Sequence, residues 1–149
     1  MDTLLFRSYK EQDYNDLVPM IMELYESTPG WMTPEKIDKT LSRLALHQET
    51  GKMLIFEQDH QVVGYALLAS YWSNEFGGMV LIIDELVVKA AYRNLRISTR
   101  FFTFLFERKL YNETAYMLEV ALTNHKAAAF YKRMGFLNFK TKHQLRMAR

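Results

Sequence analysis

Two adjacent carboxylates, Asp84 and Glu85, stand inside an otherwise apolar, β-branched run at residues 79–88. A strand turns successive side chains to opposite faces, so no more than one of the two is expected in a core. A buried carboxylate is costly unless it is paired or put to use. Such surroundings raise a carboxyl toward the range of a general base. The plain alternative is one carboxylate in solvent and the other beside a Lys or Arg. A second group is Arg93, Arg96 and Arg100, gathered where a helix is expected to begin. The positive end of a helix dipole disfavours such a cluster unless an anion is there. A third group is Trp72 and Glu75, in a polar loop expected at 72–78, with Trp31 in another loop. These side chains could hold a cationic amine by cation–π and charge contacts, or simply close the loops. The histidines, at 47, 60, 125 and 143, show no metal-ligand spacing, and no metal is expected.

The elements that must position these residues follow from periodicity and punctuation. Residues 4–8 read as a short strand. Leu17, Ile21, Leu24 and Tyr25 lie at helical spacing within 11–27, and Thr28-Pro29-Gly30 stops that helix. Thr33, as N-cap, and Pro34, at the first helical position, open a second helix with the stripe Ile37, Leu41, Leu44 and Ala45. Strands at 52–57 and 61–71, joined by a turn at 58–60, read as a hairpin. The run at 79–88 is expected to be a central strand. A Phe-rich helix is expected over 97–111 and a strand over 114–122. A helix follows over 124–134, with Asn124 as cap and Gly135 as stop, and a last strand over 136–145. The order β-α-α-β-β-β-α-β-α-β predicts an α/β (α+β) fold: a mixed sheet of about six strands flanked by about four helices.

The chain has 149 residues, a prior for a single domain over 1–149. A folded chain of this size buries about 70% of the surface its unfolded form exposes. With 49% apolar residues it suits a globular core. The absence of Cys excludes a disulfide scaffold, a Cys-ligated zinc and a thiol nucleophile, and is compatible with the cytoplasm, the expected location. The N-terminal residues lack the pattern of a secretory signal, and no apolar run approaches a membrane span. The net charge of +2 hides an asymmetry: the balance is −5 over residues 1–60, 0 over 61–119 and +7 over 120–149. Either a solvated basic face or a polyanionic small ligand accounts for the basic end. No nucleic-acid module is present. Phe101, Phe102, Phe104, Leu105 and Phe106 wrap one helix. Burial on several sides is the expected account, and a homodimer strip the other.

Two blocks carry a family resemblance. Asp84-Glu85-Leu86-Val87-Val88 followed by Tyr92-Arg93 is the first. Leu118-Glu119-Val120, then Asn124, Ala127 to Ala129 and Phe130-Tyr131-Lys132-Arg133-Met134-Gly135-Phe136, is the second. Together they resemble the Gcn5-related N-acetyltransferase family over nearly the whole chain. The resemblance implies an acetyl-CoA-dependent N-acetyltransferase acting on a small-molecule or peptide amine. It places the coenzyme pyrophosphate at the loop Arg93, Asn94, Leu95, Arg96, Ile97, Ser98 and Thr99, where a helix N-terminus offers unpaired N–H groups. It places the pantetheine along Leu86, Val87 and Val88, as an added strand would lie. Asn124 is a coenzyme contact, although a cap alone would explain it. The resemblance implies that Tyr131 protonates the departing thiolate and that Asp84 or Glu85 removes the amine proton through water. Arg96 and Ser98 depart from the family loop, standing where glycine, and glycine or alanine, are expected. Either Arg96 swings away or touches phosphate and binding is retained, the favoured outcome, or it fills the pocket. In the second case the chain is a catalytically silent acyl-CoA-binding or interaction module.

Overall fold

The computed structural model describes residues 3–139 and 144–148. Five strands and four α-helices are found there: β1 (Leu4–Ser8), α1 (Tyr14–Leu24), α2 (Pro34–Leu46), β2 (Gly51–Gln58), β3 (Gln61–Ser73), β4 (Gly78–Val88), α3 (Ile97–Arg108), β5 (Ala115–Met117) and α4 (His125–Arg133). The strands form one sheet in the order β1-β2-β3-β4-β5. The first four pair antiparallel, and β5 joins β4 in parallel after the α3 crossover. The mixed α/β class expected from the sequence is the one observed.

Local chemistry explains the boundaries. Thr33 Oγ1 accepts the backbone N–H of Lys36 at 3.3 Å, and Pro34 opens α2. Short 3-10 turns flank α1 and α2 where single helices were expected to run on. α1 ends at Leu24, earlier than expected, and Leu24 is exposed. α3 stops at Arg108 rather than 111 because Lys109 adopts a left-handed conformation, at φ +47°. Trp72, Ser73 and Gly78 are strand residues: Trp72 pairs with Met79 and Ser73 with Gly78, so the turn is confined to 74–77. β5 is three residues instead of the expected nine, because its ladder with β4 covers only Val80–Ile82. The expected last strand is not formed at 136–139 or 144–145; its residues 140–143, with His143, lie outside the described residues.

The chain divides into two compact units, Met1–Glu119 and Val120–Arg149. The first carries the whole sheet. On one sheet face, α1 and α2 bury Leu17, Met20, Ile21 and Ile37 against Met53, Ile55 and Tyr65. On the other, Phe101, Phe102 and Leu105 of α3 are fully buried. Phe101 and Phe104 pack on Phe6, and Phe106 on Tyr116. The phenylalanine-rich helix is therefore core, not a free strip. In the second unit, Asn124 Oδ1 accepts the N–H of Ala127 at 3.1 Å. At the other end of α4, Gly135 (φ +99°) allows Phe136 N–H to reach Tyr131 O and Gly135 N–H to reach Lys132 O, which closes the helix.

Candidate active site

The centre of the first unit is an irregularity in β4. Leu67 of β3 pairs with Glu85, but Leu68 pairs with Ile83. Asp84 is left out of the ladder as a bulge, and the alternation of faces shifts by one residue. Leu81 and Tyr116 are ladder partners, and the Tyr116 phenol reaches Leu105 O of α3, so Leu81 and Ile83 belong to the α3 face. Glu85, two residues beyond Ile83, turns instead to the α1/α2 face. The two carboxylates thus separate as strand geometry requires. Glu85 is 8% exposed, whereas Asp84 is exposed. Even so, partial desolvation of its carboxyl against the sheet and the charge of Glu119 hold it above the ordinary aspartate range.

Both oxygens of Glu85 are engaged. Tyr25 Oη donates to Oε2 at 2.5 Å and Tyr65 Oη donates to Oε1 at 2.8 Å. Burial, together with the neighbouring Glu85, raises both phenols well above the usual tyrosine value. Sequence reasoning did not find these two tyrosines. Tyr25 reads there as one more member of an apolar stripe, and Tyr65 as one position of the strand expected at 61–71.

β4 and β5 part company close by. Their ladder ends at Ile82 paired with Met117, so among the described residues the stretch 83–88 has no strand partner on that side. Leu86, Val87 and Val88 are partly buried along it, and Val87 also packs on the α1/α2 core. One edge carbonyl is taken: Arg93 Nε donates to Val88 O at 3.0 Å. The loop from β4 to α3 then carries Asn94 and Arg96 in the left-handed region, at φ +66° and +62°. Ile97 is buried and anchors the helix start, while Leu95 and Arg96 are exposed. Ile97, Ser98 and Thr99 form the first turn of α3, whose N–H groups have no carbonyl one turn earlier to bond. Arg96 holds the backbone geometry that glycine would take most easily, and its side chain is turned to solvent. An anion and an extended amide chain fit this arrangement of open strand edge and helix start.

The remaining candidates lie elsewhere. Trp31 and Trp72 are 51% and 66% exposed, and Glu75 is exposed. Lys36 Nζ lies 4.6 Å from the Trp31 ring centroid and donates to Trp31 O. No hydrogen bond, ion pair or ring contact joins Trp31, Trp72 and Glu75 among the described residues. In the second unit, Tyr131 lies edge-on to Phe130 and Phe136, and burial raises its phenol. No group of side chains among the described residues is suited to hold a metal ion, and no helix is long and apolar enough to cross a membrane.

A profile of the Acetyltransferase (GNAT) family matches residues 18–136. The chain belongs to this family. GNAT acetyltransferases transfer acetyl groups, and that general activity comes with the membership. Among solved structures, a protein of Clostridium difficile 630 is similar at 20% identity, with TM-score 0.81 and 97% of each chain covered. The glucosamine-6-phosphate N-acetyltransferase of Arabidopsis thaliana follows at 15% identity and TM-score 0.75, over 98% of this chain and 99% of that one. An acetyltransferase of Trypanosoma brucei has 19% identity and TM-score 0.74, over 97% of this chain and all of the other. At these identities the likeness is one of fold. No protein of curated function matches the chain.

Proposed function

We propose that residues 1–149 work as one acetyltransferase domain that moves an acetyl group from acetyl-CoA to a primary amine within a ternary complex. The observation that carries this reading is the edge of β4 beyond Ile82, where the ladder with β5 ends, running directly into the left-handed loop and first turn of α3. In this reading acetyl-CoA is the co-substrate that supplies the activated acyl group. The loop 93–99 cradles its pyrophosphate, the edge Leu86–Val88 takes its amide chain, and Asn124 adds a contact from the α4 cap. A backbone N–H of β4 polarises the thioester carbonyl, as an oxyanion donor does. Glu85 draws off the amine proton; exposed Asp84 is the less protected of the pair. Without Cys, the neutral amine attacks directly. Tyr131 returns a proton to the thiolate. Trp31, Trp72 and Glu75 are candidate contacts for the acceptor, a small-molecule or peptide amine.

The silent-module alternative rested on Arg96 filling the phosphate site. Its exposed side chain and left-handed backbone favour the enzyme instead. The test is a thermal-shift or calorimetric titration with acetyl-CoA, followed by a panel of amines assayed for free coenzyme A. Binding and release are expected; no binding at millimolar acetyl-CoA would sink the reading. Tyr131→Phe is expected to lower kcat by about 10²-fold with unchanged coenzyme affinity. Unchanged turnover removes Tyr131 from the mechanism.

A further inference from the structure

Glu85 is the carboxylate best placed to collect a proton, yet it is 8% exposed and both its oxygens are covered by phenols. Little of it is therefore left for a substrate ammonium to meet directly. The two phenols differ in access. Tyr65 is fully buried inside the α1/α2 core. Tyr25 caps the C-terminal end of α1, is only partly buried, and packs on the margin of the same core. Its 2.5 Å bond to Glu85 Oε2 is the shorter of the pair.

We infer that Tyr25 is the group that meets the acceptor ammonium and passes its proton on to Glu85, a step that rests on the acetyltransferase reading above. An N–H bond of the ammonium breaks and its proton goes to Tyr25 Oη. In the same step the phenolic O–H bond breaks and that proton goes to Glu85 Oε2. The amine is left neutral with its lone pair free, Tyr25 is again a neutral phenol, and Glu85 is a carboxylic acid. Burial beside a carboxylate disfavours the phenolate, and the two transfers together avoid it. Tyr65 acts through Glu85: its bond to Oε1 keeps Oε2 turned toward Tyr25, which makes it a positioning residue.

The test combines variants with isotope kinetics on the intact protein. Tyr25→Phe is expected to lower kcat by about 10²-fold and leave the KM for acetyl-CoA unchanged. Glu85→Gln is expected to lose a similar factor, and adding Tyr25→Phe to it to cost little more, because the two share one path. In mixtures of light and heavy water, kcat of the wild type is expected to curve with deuterium content, two protons being in flight, and to become linear in Tyr25→Phe. A linear wild-type dependence overturns the relay without recourse to any variant. So does a folded Tyr25→Phe protein with wild-type turnover, or additive losses in the double variant. A wild type that releases no coenzyme A with any amine overturns the acetyltransferase reading and the relay together. An active wild type indifferent to Tyr25→Phe overturns the relay alone.

Discussion

At the scale of single residues, charge burial in the first unit is managed by pairing. Asp13 is 3% exposed. Arg7 grips both its oxygens, at 2.8 and 2.9 Å, and also reaches Glu57 Oε1, while the N–H of Lys10 donates to Asp13 Oδ2. Burial alone would push the Asp13 carboxyl up. The Arg7 bonds and the Lys10 N–H outweigh it and hold the carboxyl below its ordinary value of 3.8. A carboxyl lowered in the folded state binds fewer protons there than in the unfolded chain. Its stabilisation is therefore present above that ordinary value and is lost as pH falls through it toward the folded one. Asp13→Asn is expected to cost about 2 kcal/mol at neutral pH. Melting curves from pH 7 to 3 should show the gap to wild type closing. A gap that stays constant over that range would refute the assignment.

At the scale of elements, the turn into α3 decides how far this chain departs from its family. Arg96 holds φ +62°, which costs a residue with a Cβ about 1 kcal/mol. Arg96→Gly is expected to stabilise the protein by about that amount, read as a raised melting temperature. Under the proposed function its exposed guanidinium would act on the coenzyme as a surface charge does, so the acetyl-CoA Kd is expected to change by less than about fivefold. A loss of binding would make Arg96 a principal phosphate ligand; a lower melting temperature would contradict the strain. The other deciding element is β4. Its bulge at Asp84 explains why Ile83 and Glu85, two residues apart, serve opposite faces of the sheet. Periodicity along the sequence has no term for a residue that drops out of a ladder.

At the scale of the whole molecule, the small net charge is a cancellation. The first 60 residues carry −5 and the last 30 carry +7, with Arg93, Arg96 and Arg100 clustered in the neutral middle. Under the proposed function the coenzyme is a polyanion, and its capture draws on this basic charge. Acetyl-CoA affinity is expected to fall severalfold as salt rises from about 0.01 to 1 M, the Debye length shrinking from about 30 to 3 Å. A salt-independent Kd would place recognition in neutral hydrogen bonds instead. The phenylalanines of α3 belong to this scale too. Their pattern left both core and dimer strip open, and packing against Phe6, Phe56 and Tyr116 settles them as core.

The order and type of most elements, the caps at Thr33 and Asn124 and the stop at Gly135 were legible because each depends on residues within a few positions of one another. The family was legible because its two blocks are contiguous words, 84–93 and 118–136. The adjacency of Asp84 and Glu85 announced that they would separate, by the two-residue repeat of a strand. Which one turned inward was not legible. That choice depends on the register between β3 and β4, set across the sheet by residues far apart in the chain. The same holds for the phenols on Glu85, which arrive from positions 60 and 20 residues earlier. The strand edge left open beyond Ile82 among the described residues is likewise a product of where β5 stops pairing. Local interactions wrote themselves into the sequence. The surroundings of the carboxylate, made of long-range contacts, exist only once the sheet has formed.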